Sequence, residues 1–334
     1  MQKFSTHFDV IGIGNAIVDI LVRVDESFLA KYSITKGKMN LITGAESAAL
    51  YKNLPEAIQA SGGSVANSMA GIASLGGQAA YIGKVKDDQL GQFFRHDIQA
   101  AGVAFTTSLA KTSSPTATSQ ILITPDGERS MQTYLGACVE LDSGDINQEA
   151  IQSAKICYLE GYLWDPPKGR EALYKAAQTA KSAGRQVAFT LSDAWLVDRH
   201  RQDFRQFIHE AVDILFANEI ELLSLYETED FNQALELIRG TAAIAAITRS
   251  EKGSILLKGA ETHLIPAEKT QIVDTTGAGD LYAAGVLFGL SQGMDLKICG
   301  RLGSIAAAEV ISHIGPRPQV NLKELAKSKQ ALAA

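Results

Sequence analysis

Between residues 145 and 258 the chain repeats one pattern: short β-branched apolar runs alternate with longer stretches of helical periodicity. The runs fall at 156–159, 187–191, 214–217, 243–248 and 254–258, and the helical patterns at about 169–183, 200–209, 219–226 and 231–240. A strand followed by a crossover helix and another strand demands parallel pairing, with helices covering both faces of the sheet. An α/β fold with a mainly parallel sheet is therefore expected, and functional side chains should gather at the C-terminal strand ends.

The N-terminal half is organised differently. Residues 8–15 read as a buried strand ending in Gly12 and Gly14, but a dinucleotide fingerprint fails here. Ile17 stands where its third glycine belongs, and 18–24 continues as an alternating strand rather than a helix. Two further extended runs, 117–125 and 129–134, flank Asp126-Gly127, a hairpin signal. With 18–24 they are expected to form a small sheet. Helical patterns are expected at 45–51 and 302–310, a strand at 79–85, and a terminal helix fraying over 321–334.

Charge and cysteine usage exclude several classes. With 31 Lys+Arg against 37 Asp+Glu, the formal net charge of −6 disfavours a nucleic-acid or anionic-membrane binder. No apolar stretch is long enough for a membrane span, and residues 1–9 lack a signal-peptide core. Cys138, Cys157 and Cys299 are odd in number and widely spaced, which reads as reduced thiols in a cytoplasmic protein. Walker A spacing is absent, so a P-loop NTPase is not supported.

The chemistry concentrates in Val273-Asp274-Thr275-Thr276-Gly277-Ala278-Gly279-Asp280 and the small-residue helix that follows. Helix-start N–H groups have no intrahelical partner, so Gly277, Ala278 and Gly279 form a ready anion site. Asp280 beside an anion site is electrostatically awkward unless it takes a proton from a hydroxyl attacking that anion. As Gly-x-Gly-Asp alone, an ordinary capping Asp serves equally well. A second glycine-rich helix start, Ser61-Gly62-Gly63-Ser64-Val65-Ala66-Asn67, carries one large polar side chain, Asn67, which needs a partner if buried. Asp19, inside an apolar strand, either faces solvent or accepts from vicinal sugar hydroxyls.

Taken together, 274–285 and 61–77 resemble the two signatures of the ribokinase-like (PfkB) carbohydrate and nucleoside kinases, and the resemblance covers nearly the whole chain. It implies one three-layer α/β/α domain, residues 1–334, with a small β-sheet lid built from about 17–45 and 106–136. It also implies Asp280 as catalytic base, the Gly277-Ala278-Gly279 amides as the hole for the transferred phosphoryl group, and Asp19, Gly62, Gly63 and Asn67 on the sugar. Asn218 and Glu221 match the family's Asn-x-x-Glu; three residues apart on one helix face, they would hold Mg²⁺ through its waters. Thr248, Arg249 and Gly253 mark a nucleotide-phosphate loop, although Ser250 replaces its usual first glycine. In many family members a loop corresponding to 314–318 holds a monovalent cation, which brings in K⁺. Arg129 near the hairpin reads first as a surface residue, and a contact with substrate or phosphate is the lesser reading.

Segments 14–20 and 213–219 are most similar to the adenosine-phosphorylating branch. The implied reaction transfers phosphate from ATP to the 5′-hydroxyl of adenosine; another nucleoside, or a free sugar such as ribose or fructose, is the alternative. Trp195, Tyr134 and Trp164 offer aromatic faces for a base, with core packing an equal reading for Trp195. The partners expected are small molecules, with a monomer or homodimer as the assembly. A non-catalytic binding protein on the same fold would be expected to lose the base or the anion hole, and both are intact.

Overall fold

The computed structural model describes residues 7–111 and 113–332; the expectations for the extreme termini, including the end of the terminal helix, lie in part outside them. Strands of the N-terminal half are β1 (Phe8–Ile13), β2 (Ile17–Arg23), β3 (Met39–Leu41), β4 (Ile58–Gly62), β5 (Ala79–Ile82), β6 (Val103–Phe105), β7 (Ala117–Ile123) and β8 (Arg129–Tyr134). The second half adds β9 (Ala154–Glu160), β10 (Gln186–Thr190), β11 (Ile214–Asn218), β12 (Ile244–Thr248), β13 (Ser254–Lys258) and β14 (Glu261–Ile265).

Nine of these form one sheet in the order β14-β13-β12-β11-β10-β9-β1-β5-β6. Pairing is parallel from β6 to β12. Alternation along each strand splits the core into two layers. Val10, Ile156 and Tyr158 point to one face, where helices Ser64–Ser74, Ala278–Ser291 and Leu296–Val310 pack. Ile11, Cys157 and Leu159 point to the other, under helices Pro167–Ser182 and Ala194–Ala211.

One expectation needs correcting at the sheet edge. The run 254–258 was expected to continue the parallel order, but β12–β13 and β13–β14 are antiparallel. The connections explain this: the single 3₁₀ turn Ser250–Lys252 and the Gly259-Ala260 turn are too short for a crossover helix. Helix Ala194–Ala211 also begins earlier than the expected 200, because Asp193 caps it through the Trp195 N–H at 3.1 Å.

The remaining strands form a second sheet, β3-β8-β7-β2-β4. β2, β7 and β8 are the expected runs, and β3 and β4 complete it, the last contributed by residues 58–62. Period-two alternation gives this sheet two unlike faces. Asp19, Ser119, Ile121 and Thr133 line a cavity towards the large sheet, whereas Ile20, Thr118, Gln120 and Tyr134 line another on the opposite face. Among the described residues no helix is long and apolar enough to cross a membrane. The three cysteines are buried and unpaired.

Candidate active site

A cavity of about 260 Å³ lies between the small sheet and the C-terminal ends of the central strands. Its polar wall comes from Asp19, Ser64, Asn67, Thr276 and Asp280; its apolar wall comes from Ile17, Met39, Leu41, Ile121, Met131 and Leu135.

Asp280 sits in the first turn of helix Ala278–Ser291. Ser64 Oγ donates to its Oδ1 at 2.6 Å and Asn67 Nδ2 to its Oδ2 at 2.8 Å, so the two glycine-rich helix starts meet through this carboxylate. Burial raises its pKa, and the Asn67 and Ser64 hydrogen bonds, then Arg317 and Arg129, oppose the rise. A raised carboxylate is a stronger base. Gly277 caps the same helix in a left-handed conformation, φ 80°, with the Pro316 backbone so close that a side chain would crowd it. At Gly279 the space beyond the backbone is open, which leaves the helix start accessible to an anion.

Asp19 is buried, and burial, together with the negative charges of Asp280 and Asp274, pushes its carboxyl to about 7 against the pull of Arg317. It rests over Gly62, in the space a side chain there would fill. Gly63, φ 97°, presses against the Asn15 carbonyl and opens helix Ser64–Ser74. Asn67 is buried with its Oδ1 unpartnered beside this cavity.

Sequence reading missed two charged side chains, the half-buried Arg317 and the buried Glu160. Arg317 donates from Nε to Ser61 O at 2.7 Å, from Nη1 to Ala66 O at 2.7 Å and from Nη2 to Ser61 Oγ at 2.9 Å, holding the Gly62-Gly63 turn from behind. Glu160, at the end of β9, accepts from the Asn15 and Val65 amides at 3.2 and 3.1 Å. A lone Arg beyond the last signature has no spacing signal, while Glu160 carried one: a Glu-Gly pair closing an apolar run.

Arg129 does not behave as a solvated surface residue. Its Nη1 and Nη2 donate to Thr276 Oγ1 at 2.8 Å and Thr275 Oγ1 at 2.7 Å, and its Nε lies 3.5 Å from Asp274 Oδ1. Asp274 is buried and also accepts from the Thr276 N–H and O–H and from Gly315 N at 2.9 Å.

The aromatic candidates separate. Trp195 lines the cavity, with Tyr162 beside it and the Arg199 guanidinium 4.9 Å from its ring. Trp164 is fully buried among Phe189, Phe204 and Phe207, and Tyr134 covers Gly44 on the far face of the small sheet. Neither reaches the cavity, because the 161–164 turn packs inward and strand alternation turns Tyr134 outward.

The remaining candidates lie at the ends of β11 and β12. Asn218 and Glu221 form a reciprocal capping box: Asn218 Oδ1 accepts from Glu221 N at 2.8 Å and Glu221 Oε2 from Asn218 N at 3.0 Å, while Oε1 also accepts from Asn218 Nδ2 at 2.7 Å. Burial pushes Glu221 to about 7. Thr248 is half-buried at the end of β12; Arg249 is engaged by both oxygens of Glu219 at 3.2 Å and by the Phe231 ring at 4.3 Å. Ser250 adopts φ 51°, the left-handed conformation that makes glycine usual at this position, and Gly253 has φ 82°. No group of three or more His, Cys, Asp or Glu among the described residues is placed to hold a metal ion.

Both glycine-rich helix starts thus converge on one carboxylate, on a ribokinase-like fold. Residues 38–322 match the pfkB family carbohydrate kinases, and the chain belongs to that family. The adenosine kinase of Sinorhizobium meliloti superposes with a TM-score of 0.91 at 52% identity, covering 97% of this chain and 99% of its own. A probable sugar kinase from Rhizobium etli CFN 42 gives 0.93 at 50%, covering 98% and 100%. Adenosine kinase of Saccharomyces cerevisiae is 27% identical over 338 residues, 92% of this chain and 96% of its own. Family membership brings ATP as co-substrate and, typically, Mg²⁺.

Proposed function

We propose that this kinase transfers the γ-phosphoryl group of ATP to the 5′-hydroxyl of a nucleoside, adenosine above all, giving AMP and ADP. The observation that carries this reading is the mixed lining of the cavity: hydroxyl acceptors Asp19 and Asp280 together with Ile17, Met39, Leu41, Ile121, Leu135 and Trp195. A free sugar has no large apolar face to bury against these side chains, whereas a nucleoside has a ribose for the carboxylates and a base for the apolar lining.

In this reading Asp19 accepts from vicinal ribose hydroxyls, with Asn67 and the Gly62-Gly63 backbone beside them. Asp280 takes the proton from the attacking 5′-hydroxyl, and the amides at 277–279 stabilise charge on the transferred group. The small sheet acts as a lid, closed onto the 274–276 segment by Arg129. Thr248, Arg249 and Gly253 border the nucleotide side, with Arg249 free to act there only on leaving Glu219.

The donor set suits Mg²⁺ held mainly by phosphates and waters, since Mg²⁺ rarely takes an all-protein cage. Asn218 and Glu221 would accept from its waters, and the ion would neutralise phosphate charge. Both Asp274 oxygens already have donors and Arg129 lies beside one of them, so this carboxylate is not free to hold K⁺, and the proposal omits the ion.

The S. meliloti adenosine kinase supports the nucleoside reading. The name of the R. etli protein keeps a free-sugar substrate as the second reading. The test is ADP release from ATP·Mg²⁺ with adenosine, inosine, guanosine, cytidine, ribose and fructose. Turnover on adenosine above the other five supports the proposal; turnover on ribose or fructose alone overturns the substrate.

A further inference from the structure

Glu160 is a buried carboxylate that the reaction itself does not use. It closes β9 at the centre of the large sheet, where Gly14 leaves room for it: a side chain at that position would collide with Oε2. Its two oxygens serve two different segments. Oε1 accepts from the Asn15 amide, in the turn that leads into β2 and Asp19; Oε2 accepts from the Val65 amide, in the first turn of helix Ser64–Ser74. An anion at that position also complements the helix dipole. The Asn15 carbonyl in turn presses on Gly63. From the same helix turn, Ser64 and Asn67 grip the two oxygens of Asp280.

We propose that Glu160 is a positioning residue that fixes the base Asp280 relative to the sugar-binding Asp19, by clamping the 14–15 turn to the helix start that carries Ser64 and Asn67. The proposal rests on Asp280 acting as the base. A buried carboxylate held by two amides rather than by a cation is costly to keep, and burial raises its pKa to about 7. An apolar side chain would fill the space without that cost, but only an acceptor with two oxygens spans both amides.

The variants are Glu160→Asp, which keeps the charge but is one methylene too short to reach both amides, and Glu160→Gln, which keeps the length but presents an N–H₂ to one donor. Each is assayed for ADP release with adenosine, alone and combined with Ser64→Ala. Sub-ångström misplacement of a base is read in turnover, so kcat should fall about 10–100-fold with KM within about 3-fold. The Glu160→Asp/Ser64→Ala pair should be little worse than the poorer single variant, because both act on the same carboxylate. Adenosine quenching of Trp fluorescence shows that each variant is folded. Near wild-type kcat in both variants, a loss confined to KM, or losses that multiply in the double variant would overturn the proposal. Asp280→Asn separates the two claims: if it is inactive while Glu160→Asp is normal, only the positioning role fails; if it is active, the base assignment fails with it.

Discussion

The Arg129 guanidinium crosses from the small sheet to Thr276, 147 residues away in sequence, and donates to its hydroxyl at 2.8 Å. Thr276 in turn donates to Asp274, whose other oxygen receives the Gly315 amide. The sheet that covers the cavity is thus latched to the segment that leads into helix Ala278–Ser291.

Removing that latch should uncouple closure from chemistry. Arg129→Ala deletes two charge-assisted hydrogen bonds, each worth about 1.5–3 kcal/mol at most. We expect kcat to fall about tenfold or more, with a larger share of ATP hydrolysed by water rather than transferred. Lysine should restore little, because one ammonium lacks the planar fork that meets two hydroxyls. Product partitioning by phosphate and AMP assay checks this; unchanged partitioning counts against the latch.

Asp19 carries a pH signature. Burial, then the charges of Asp280 and Asp274, raise it to about 7, so it is protonated below that pH and loses acceptor capacity for a diol. KM for the nucleoside should therefore rise as pH falls through about 7 and flatten above it. Asp19→Asn should show a high KM without that inflection. An inflection that survives the substitution would assign it elsewhere.

Stability should run in the opposite direction to the usual acid denaturation over the same range. Burial pushes Asp19, Glu160 and Glu221 up to about 7 in the folded chain, from ordinary values of 3.8, 4.5 and 4.5. Folded pKa values above unfolded ones mean that the folded state binds more protons between about pH 4 and pH 7. Their stabilising contribution is full below the unfolded values and is lost as pH rises through the folded ones. Tm should decline from about pH 4 to about pH 7, and Glu221→Gln, which retains a capping box, should shallow the slope. A Tm that climbs across this range would contradict the assignment.

The two tryptophans give a binding readout. Trp195 lines the cavity, while Trp164 is sealed among phenylalanines. Adenosine should quench fluorescence in the wild type and in Trp164→Phe, but not in Trp195→Phe. Quenching that survives Trp195→Phe would place the base elsewhere.

Much of this architecture was legible because its signals are local. Glycine-rich helix starts, the Asp-Gly hairpin and the βα alternation each announce themselves within a dozen residues. Strand direction at the edge was not legible: β13 looks like any buried strand, and only its short connections to β12 and β14 make it antiparallel. Partnerships across the chain were hidden for the same reason. Nothing near Glu160 in sequence indicates that it faces Asn15 and Val65, and nothing near Arg129 indicates Thr276. Trp164, two residues beyond Tyr162, resembled a cavity aromatic until the turn carried it inward.

The most direct test of the account is turnover of Asp280→Asn with ATP·Mg²⁺ and adenosine, measured beside adenosine affinity from Trp fluorescence. A general base contributes about 10²–10⁴-fold, so kcat should fall by at least that order while affinity stays within about 3-fold of wild type. Near wild-type turnover would contradict the assignment of Asp280, and with it the reading of this cavity as the place where phosphate is transferred.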